Sequence, residues 1–432
     1  MSPKPQQTST ITDLRDRYRT VRAQSLLLTA PLSPEDMMVQ SLPEASPAKW
    51  HLAHTTWFFE VLVLAEFLPN YRVFHPDFHW LFNSYYNSLG MQPAKALRAS
   101  FSRPSLAEVY AYRTHVDSAI ACLLDQRTNA DTINRIVLGL NHEQQHQELL
   151  ATDIKHALFT NPLHFAYRAA SSAVDAATAA PLTWLDFNPG LIEIGASPDP
   201  GSFAYDNESP RHAVYLAPYQ LASRPITCDE YLAFLEDNAY ARPELWLSDG
   251  WITVREQGWQ SPLYWQHTSD SCRIYTLDGW RPIEELAATP VCHLSFFEAD
   301  AYARWAGCRL PTEFEWEHAA AQTSSTSANL LESGSLHPTR ARSRPGLQQL
   351  LGDVWEWTAS SYTGYPGYHA APGALGEYNG KFMSSQMVLR GGSCVTPTTH
   401  IRATYRNFFV PTTRWQFSGL RLAHDLSQEA PK

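Results

Sequence analysis

No stretch of this 432-residue chain approaches the roughly 18 consecutive apolar residues that a membrane-spanning helix requires. The opening residues, MSPKPQQTSTITD, lack the apolar core of a secretory signal, so a soluble, cytoplasmic protein with no membrane partner is expected. The six cysteines (Cys122, Cys228, Cys272, Cys292, Cys308 and Cys394) are scattered and form no CxxC pair, which excludes a disulfide scaffold and fits reduced thiols. Charged residues make up only 18% of the chain, the net charge is −10, and no basic stripe is present. That balance excludes a nucleic-acid binder, whose phosphate contacts need clustered Lys and Arg. What is abundant is apolar and aromatic. Hydrophobic residues reach 44%, enough to exclude disorder. Aromatics reach 12%, with 14 Trp, and such rings fill cores or line sites for cations and flat molecules.

The length suits two domains. Residues 1–167 read as helical. Ser33-Pro34-Glu35-Asp36 has the form of a helix start, with a Ser cap, Pro at the first position and an acid three residues on. Further helices are expected over Lys49–Phe67, Ser105–Leu124 and Asp131–Leu158, from apolar residues at helical spacing. Four amphipathic helices suggest a bundle, whose interior is a natural place for a metal. Residues 168–182, RAASSAVDAATAAPL, read as a linker. Residues 183–432 carry short strand-like runs and turn residues, with helices expected over Cys228–Asn238 and Phe296–Ala306, and read as a loop-rich α+β domain.

The chemistry concentrates in histidines. His142-Glu143-Gln144-Gln145-His146 places two imidazoles at i and i+4, on one helix face and able to share a metal. His54, on another expected helix, can supply a third nitrogen. Imidazole suits several metals, so these residues alone do not choose iron over zinc. His51, His75, His79, His115 and His156 read as structural. HEQQH also matches the HExxH of zinc peptidases, with Glu143 as general base. Against that reading stand the polar Gln144 and Gln145, and the absence of an HExxHxxGxxH extension.

Six segments of the second half occur in order: FNPGLIEIG from Phe187, ESPRHAV from Glu208, PITCDEYLAF from Pro225, WAGCRLPTEFEWEH from Trp305, GDVWEWT from Gly352 and VLRGGS from Val388. Together they resemble the formylglycine-generating (sulfatase-modifying) domain, a C-type-lectin-like fold. Members that make formylglycine carry two cysteines shortly after GGS, and here those positions fall on Thr396 and Ile401, so that activity is not expected. Cys394 reads as packing.

The first half, with HLAHTTWFFE and HEQQHQE, resembles a DinB-like bundle. Such a bundle fused to this lectin-like domain resembles the ergothioneine-biosynthesis sulfoxide synthases of the EgtB type, over nearly the whole chain. The fold implied is α plus α+β: a DinB-like four-helix bundle holding the metal, and a lectin-like domain completing the substrate site. The resemblance implies Fe(II) on His54, His142 and His146, with His51 the near neighbour confusable with His54. It implies O2-dependent joining of a thiol, cysteine or gamma-glutamylcysteine, to the imidazole C2 of hercynine, with oxygenation of sulfur. No protein or nucleic-acid partner is implied, and a homo-oligomer is left open. The related histidylcysteine sulfoxide synthases of ovothiol synthesis usually carry an extra methyltransferase domain, for which this chain has neither the length nor a glycine-rich loop.

Within that framework Gln145 is expected to hydrogen-bond the substrate imidazole, and Asn407 to bind hercynine, with Phe408 or Phe409 facing its quaternary ammonium. Tyr85 and Tyr86, in LFNSYYNSLG, are the expected proton donors, with Tyr378 of GEYNGKF as the alternative. Arg98 and Arg103 are expected to pair the thiol substrate's carboxylate; Arg414 and Arg421 are other candidates. The stretch FSRPSLAEVYAYR and the tyrosine pair resemble the branch that accepts free cysteine. A zinc hydrolase and a non-catalytic ligand-binding module are the competing classes.

Overall fold

A computed structural model describes residues 5–126, 129–169, 178–198, 202–268, 271–323 and 328–426. The chain forms two units, Met1–Tyr167 together with Pro372–Tyr378, and Arg168–Ala371 together with Asn379–Lys432. The middle of the expected linker, residues 170–177, lies outside the described residues.

Four long helices build the first unit: α1 (Pro5–Thr29), α2 (Ala48–Phe59), α3 (Leu106–Asp125) and α4 (Ala130–Thr160). α2 lies against both α3 and α4, and α1 lies against α4. Ser105 opens α3 with a reciprocal cap: its hydroxyl accepts from Glu108 N, and Ser105 N donates to the Glu108 carboxylate. Asn129 caps α4 by accepting from Thr132 N. α2 runs on through a π-helical turn, Glu60–Leu64. One expectation fails here. The Ser33 start closes only a single 3-10 turn, Asp36–Met38, because no apolar period follows and Pro43 and Pro47 interrupt the chain. The fourth long helix is instead α1, which buries Leu14, Tyr18, Val21 and Leu28 on one face.

The second unit carries twelve short strands among its described residues, arranged in four small sheets. One sheet orders Trp184–Phe187, Tyr219–Ala222 and Ala423–Asp425, all antiparallel. Another orders Asn407–Phe409, Met387–Arg390, Trp355–Ser361 and Ser418–Gly419. Helices at Cys228–Glu236, Phe296–Trp305 and Glu313–Ala321 begin with Thr227, Ser295 and Thr312, each in a reciprocal cap with a Glu three residues on. The core around Trp316, Tyr219, Leu221 and Leu350 is apolar. Buried Arg–Glu pairs brace it: Arg390 with Glu317, Arg406 with Glu313, and Arg421 with Glu356. Among the described residues, no helix is long and apolar enough to cross a membrane.

Gly139 shows how closely α2 and α4 pack. A Cβ there would lie 2.6 Å from the Phe59 ring and 3.0 Å from that of Phe58, and both rings are fully enclosed. Alanine in mid-helix ordinarily gains about 1 kcal/mol over glycine, but forcing a methyl into a filled core costs about 1–3 kcal/mol. Gly139→Ala is therefore expected to lower the melting temperature in a thermal unfolding scan; an unchanged or raised value would show that the two phenyl rings yield freely.

Candidate metal centre

α2 and α4 each contribute to a buried cluster of imidazoles. One ligand atom each from His54, His142 and His146 lies within 4.8 Å of the others. The ring centroids are 5.0 Å apart for His54 and His142, 4.8 Å for His54 and His146, and 4.6 Å for His142 and His146. The i, i+4 spacing aligns the α4 pair on one face, and α2 crosses opposite.

Aromatic rings fix these imidazoles. His54 lies between Trp50 and Trp57, stacked on both at 4.5 and 5.4 Å, and His142 stacks on Phe58 at 4.6 Å. His54 Nδ1 meets the Phe82 carbonyl at 2.7 Å. A carbonyl only accepts, so Nδ1 carries the proton and the lone pair belongs to Nε2, which is buried and makes no hydrogen bond among the described residues. Both ring nitrogens of His142 are likewise buried and unpartnered. Burial, with the neighbouring His142, holds His54 well below the ordinary imidazole range; burial, with a smaller contribution from His51, takes His142 down to about 3 against the opposing pull of Glu143; burial and the other imidazoles lower His146. In each the shift favours the neutral imidazole that metal ligation requires, and the unpartnered nitrogens of His54 and His142 fit a cation with nitrogen ligands.

His51 is not a fourth member. Its Nδ1 lies 2.8 Å from His146 Nδ1 and its Nε2 lies 3.0 Å from Asp153 Oδ2, so both nitrogens are committed. Neither Asp153 nor this role of His51 was singled out from the sequence. An Asp seven residues beyond His146, near the same helix face, was the available signal.

Glu143 points elsewhere. Its carboxylate accepts from Arg113 at 2.6 Å, Arg22 at 2.9 Å and Ser25 at 2.7 Å, all buried. Burial alone would raise its pKa, but Arg113, Arg22 and the Ser25 hydroxyl bring it down to about 2. A carboxylate so firmly ionised and so fully bonded is a poor proton acceptor, which counts against the zinc-peptidase reading.

A cluster of tyrosines adjoins the imidazoles. Pro372–Tyr378 joins the first unit through Glu377, whose carboxylate accepts from the backbone N–H groups of Asn87 and Ser88, each at 2.8 Å. This places the Tyr378 ring 5.8 Å from His142 and 6.0 Å from Tyr85. Tyr85 hydrogen-bonds both Tyr86 and Tyr378, while burial keeps its hydroxyl well above the ordinary phenol range. Tyr86 is fully buried, its ring 5.4 Å from Trp57.

The two expected carboxylate-binding arginines part company. Arg98 is buried over the Trp50 ring at 3.4 Å and donates to Ser46 Oγ at 2.8 Å and Ser84 Oγ at 2.9 Å, with no ion pair among the described residues. Arg103 is turned outward, its side chain 84% exposed, and pairs with Glu108 at 3.8 Å. Its sequence neighbourhood suggested a shared role, but the backbone at Pro104 and the start of α3 carries it to the surface. Gln145 is half-buried on α4 between the two ligand positions.

In the second unit, Asn407, Phe408 and Phe409 form one strand, paired with Met387–Leu389. Phe408 stacks on Tyr362 at 3.9 Å and lies 5.9 Å from Phe382, and Phe409 lies edge-on to Trp415 at 6.2 Å. Arg414 pairs with Glu298 at 3.1 Å and Arg421 with Glu356 at 2.7 Å, which commits both guanidinium groups to the protein's own carboxylates. Cys394 and Thr396 are fully buried, and the Thr396 hydroxyl accepts from Ser393 N.

Comparison with known proteins agrees with this architecture. Residues 185–426 match the family described as the sulfatase-modifying factor enzyme 1-like domain. The chain is 29% identical to hercynine oxygenase of Mycolicibacterium smegmatis, over 96% of this chain and 99% of that protein. It is 30% identical to hercynine oxygenase of Mycobacterium tuberculosis, over 95% and 97%. It is 28% identical to ergothioneine biosynthesis protein 1 of Schizosaccharomyces pombe, over 51% of this chain and 27% of that one.

Glu143→Gln should lower stability by about 3–5 kcal/mol, because Arg113 is then buried without a counter-charge and Arg22 keeps only Asp117. The sign with pH follows. A carboxyl at about 2 when folded and roughly 4.3 when unfolded adds stability above the unfolded value, lost as the pH falls through the folded one. Denaturant unfolding of both proteins between pH 7 and 2 checks this; equal stability at every pH would contradict the buried ion cluster.

Proposed function

The chain belongs to the hercynine oxygenase family, a group of oxygen-dependent oxidoreductases, and from that premise we propose that it is an Fe(II) sulfoxide synthase joining free cysteine to hercynine. The observation that carries the metal part is the neutral, buried trio His54, His142 and His146, with unpartnered nitrogens on His54 and His142. Three imidazoles leave open positions on an octahedral ion. When bound, iron would supply the redox chemistry linking O2 to the thiol sulfur. The balance closes without a reductant: forming the C–S bond releases two electrons and two protons, and oxidising the sulfur to the sulfoxide releases two more electrons. O2 accepts all four, one oxygen entering the sulfoxide and the other leaving as water.

What this chain's residues do is position, desolvate and deliver a proton. Trp50, Trp57 and Phe58 exclude water and hold two of the imidazoles in place. Gln145, beside His146, is assigned to the substrate imidazole. Tyr85, with Tyr86 and Tyr378 as hydrogen-bonded neighbours, is assigned to proton delivery; its high pKa keeps it a donor at neutral pH. Arg98 is assigned to the cysteine carboxylate. Among the described residues of this unit, Arg98 is the one arginine beside the imidazoles that has no carboxylate partner, which suits a thiol with one carboxylate better than gamma-glutamylcysteine with two.

The test is O2 uptake by Fe(II)-loaded protein with hercynine and either thiol, products identified by mass spectrometry; no thiol-dependent uptake with either sinks the proposal. Tyr85→Phe is expected to slow sulfoxide formation by about 10²-fold and raise the share of cysteine sulfinate. An unchanged product ratio in Tyr85→Phe, Tyr86→Phe and Tyr378→Phe alike removes the tyrosines from the mechanism. Arg98→Met is expected to raise KM for cysteine by roughly 10–100-fold, the worth of a charged hydrogen bond, with KM for hercynine unmoved. Equal KM for cysteine would rule Arg98 out.

A further inference from the structure

We propose that His51 and Asp153 form a positioning relay that selects the metal-binding tautomer of His146 and fixes its ring. The inference rests on the reading of His54, His142 and His146 as a metal site. It starts from a chain of contacts in which each polarity is set by the one before.

Asp153 is the anchor. It is buried, and its Oδ2 accepts from Ser46 N at 2.9 Å and lies 3.0 Å from His51 Nε2. A carboxylate can only accept, so His51 Nε2 carries a hydrogen. In its neutral form an imidazole that holds its hydrogen on Nε2 presents a bare lone pair at its other nitrogen, Nδ1. That atom faces His146 Nδ1 at 2.8 Å, a distance at which two lone pairs cannot meet. His146 Nδ1 must therefore hold the hydrogen, which leaves the His146 lone pair on Nε2.

Burial makes the chain obligatory. His51 is 3% exposed and His146 8%, so neither ring can satisfy its polar atoms with water. The same fix is reached at His54 by simpler means, since the Phe82 carbonyl accepts from Nδ1. His146 lies mid-helix on α4, where the backbone carbonyls are taken by the helix itself, and a side-chain partner does the work of Phe82. The sequence supplies that partner from α2, one turn before His54, and the anchor from α4, two turns after His146. Partners of this kind orient a ligand and raise its basicity, and their loss typically weakens metal binding about 10–100-fold.

The readout is cobalt(II) affinity and the visible d–d absorption of the cobalt-loaded protein, with circular dichroism and thermal melts of the metal-free variants beside them. Asp153→Asn and His51→Leu are each expected to weaken cobalt binding about 10–100-fold and to shift the d–d band. An amide at 153 can donate to His51 Nε2, reversing the chain, and leucine at 51 gives His146 Nδ1–H no acceptor. His51→Asn, whose carbonyl oxygen stands near the place of Nδ1, is expected to recover most of the affinity. It also keeps the test alive should the leucine variant not fold. Unchanged affinity and spectrum in Asp153→Asn overturn the relay. So does loss of cobalt in His51→Asn as complete as in His142→Ala, which would make His51 a ligand. Lower melting temperatures with unmoved cobalt spectra would reduce the pair to a packing role and also overturn it. A wild type that binds no cobalt overturns the metal reading itself, a result distinct from any of these.

Discussion

Glu143 carries a charge into the dry centre of the helical unit, and the geometry of the site follows from how that charge is held. Its oxygens are taken by Arg22 from α1, Arg113 from α3 and the Ser25 hydroxyl. An unpaired carboxylate there would cost several kcal/mol, so the three helices are tied at one point and the rotation of α4 is set. One residue earlier and three later on that helix, His142 and His146 are thereby turned toward α2 rather than α1. Gln147 adds to the same lock by donating to the Val21 carbonyl at 2.7 Å. The motif that resembles a hydrolase's general base is here a structural pin for the imidazoles beside it.

Around the imidazoles, apolar and polar constraints divide the work. Trp50, Trp57 and Phe58 restrict ring tilt by stacking, and the Phe82 carbonyl restricts tautomer by hydrogen bonding. Arg98 is held over the Trp50 ring while His54 stacks on the same indole, so one ring braces both an imidazole of the cluster and a cationic group. Its hydrogen-bond partners are neutral serine hydroxyls.

The second unit follows other rules. Its sheets are short, and much of its cohesion comes from buried Arg–Glu pairs and reciprocal helix caps rather than long amphipathic faces. The formylglycine-type cysteine positions hold Thr396 and Ile401, and Thr396 serves as a hydrogen-bonding turn residue. Yet seven residues from within this part of the sequence, Pro372–Tyr378, belong to the helical unit. They bring a phenol to the edge of the imidazole cluster, attached through two backbone N–H groups and one carboxylate.

Local sequence was enough for what repeats at short range. The i, i+4 spacing of His142 and His146, the caps at Ser105 and before α4, and the shift from long helices to short strands are all consequences of helical or strand period, which neighbouring residues dictate. The cap at Ser33–Asp36 opens only one turn because no apolar face follows it, and the buried side chains of α1 are too sparse among charged ones to mark a helix by period. Arg98 and Arg103 stand close in sequence, yet a few residues of backbone send one inward and the other to solvent. Committing the Nδ1 of His54 to a carbonyl and both nitrogens of His51 to side chains, turning Glu143 toward two arginines, and bringing Asp153, Tyr378 and Glu377 to bear on the site depend on contacts between residues 28 to 290 positions apart. Only the folded chain decides these. A hydrogen bond needs a specific atom within about 3 Å, and no pattern in the linear sequence records which distant atom that will be.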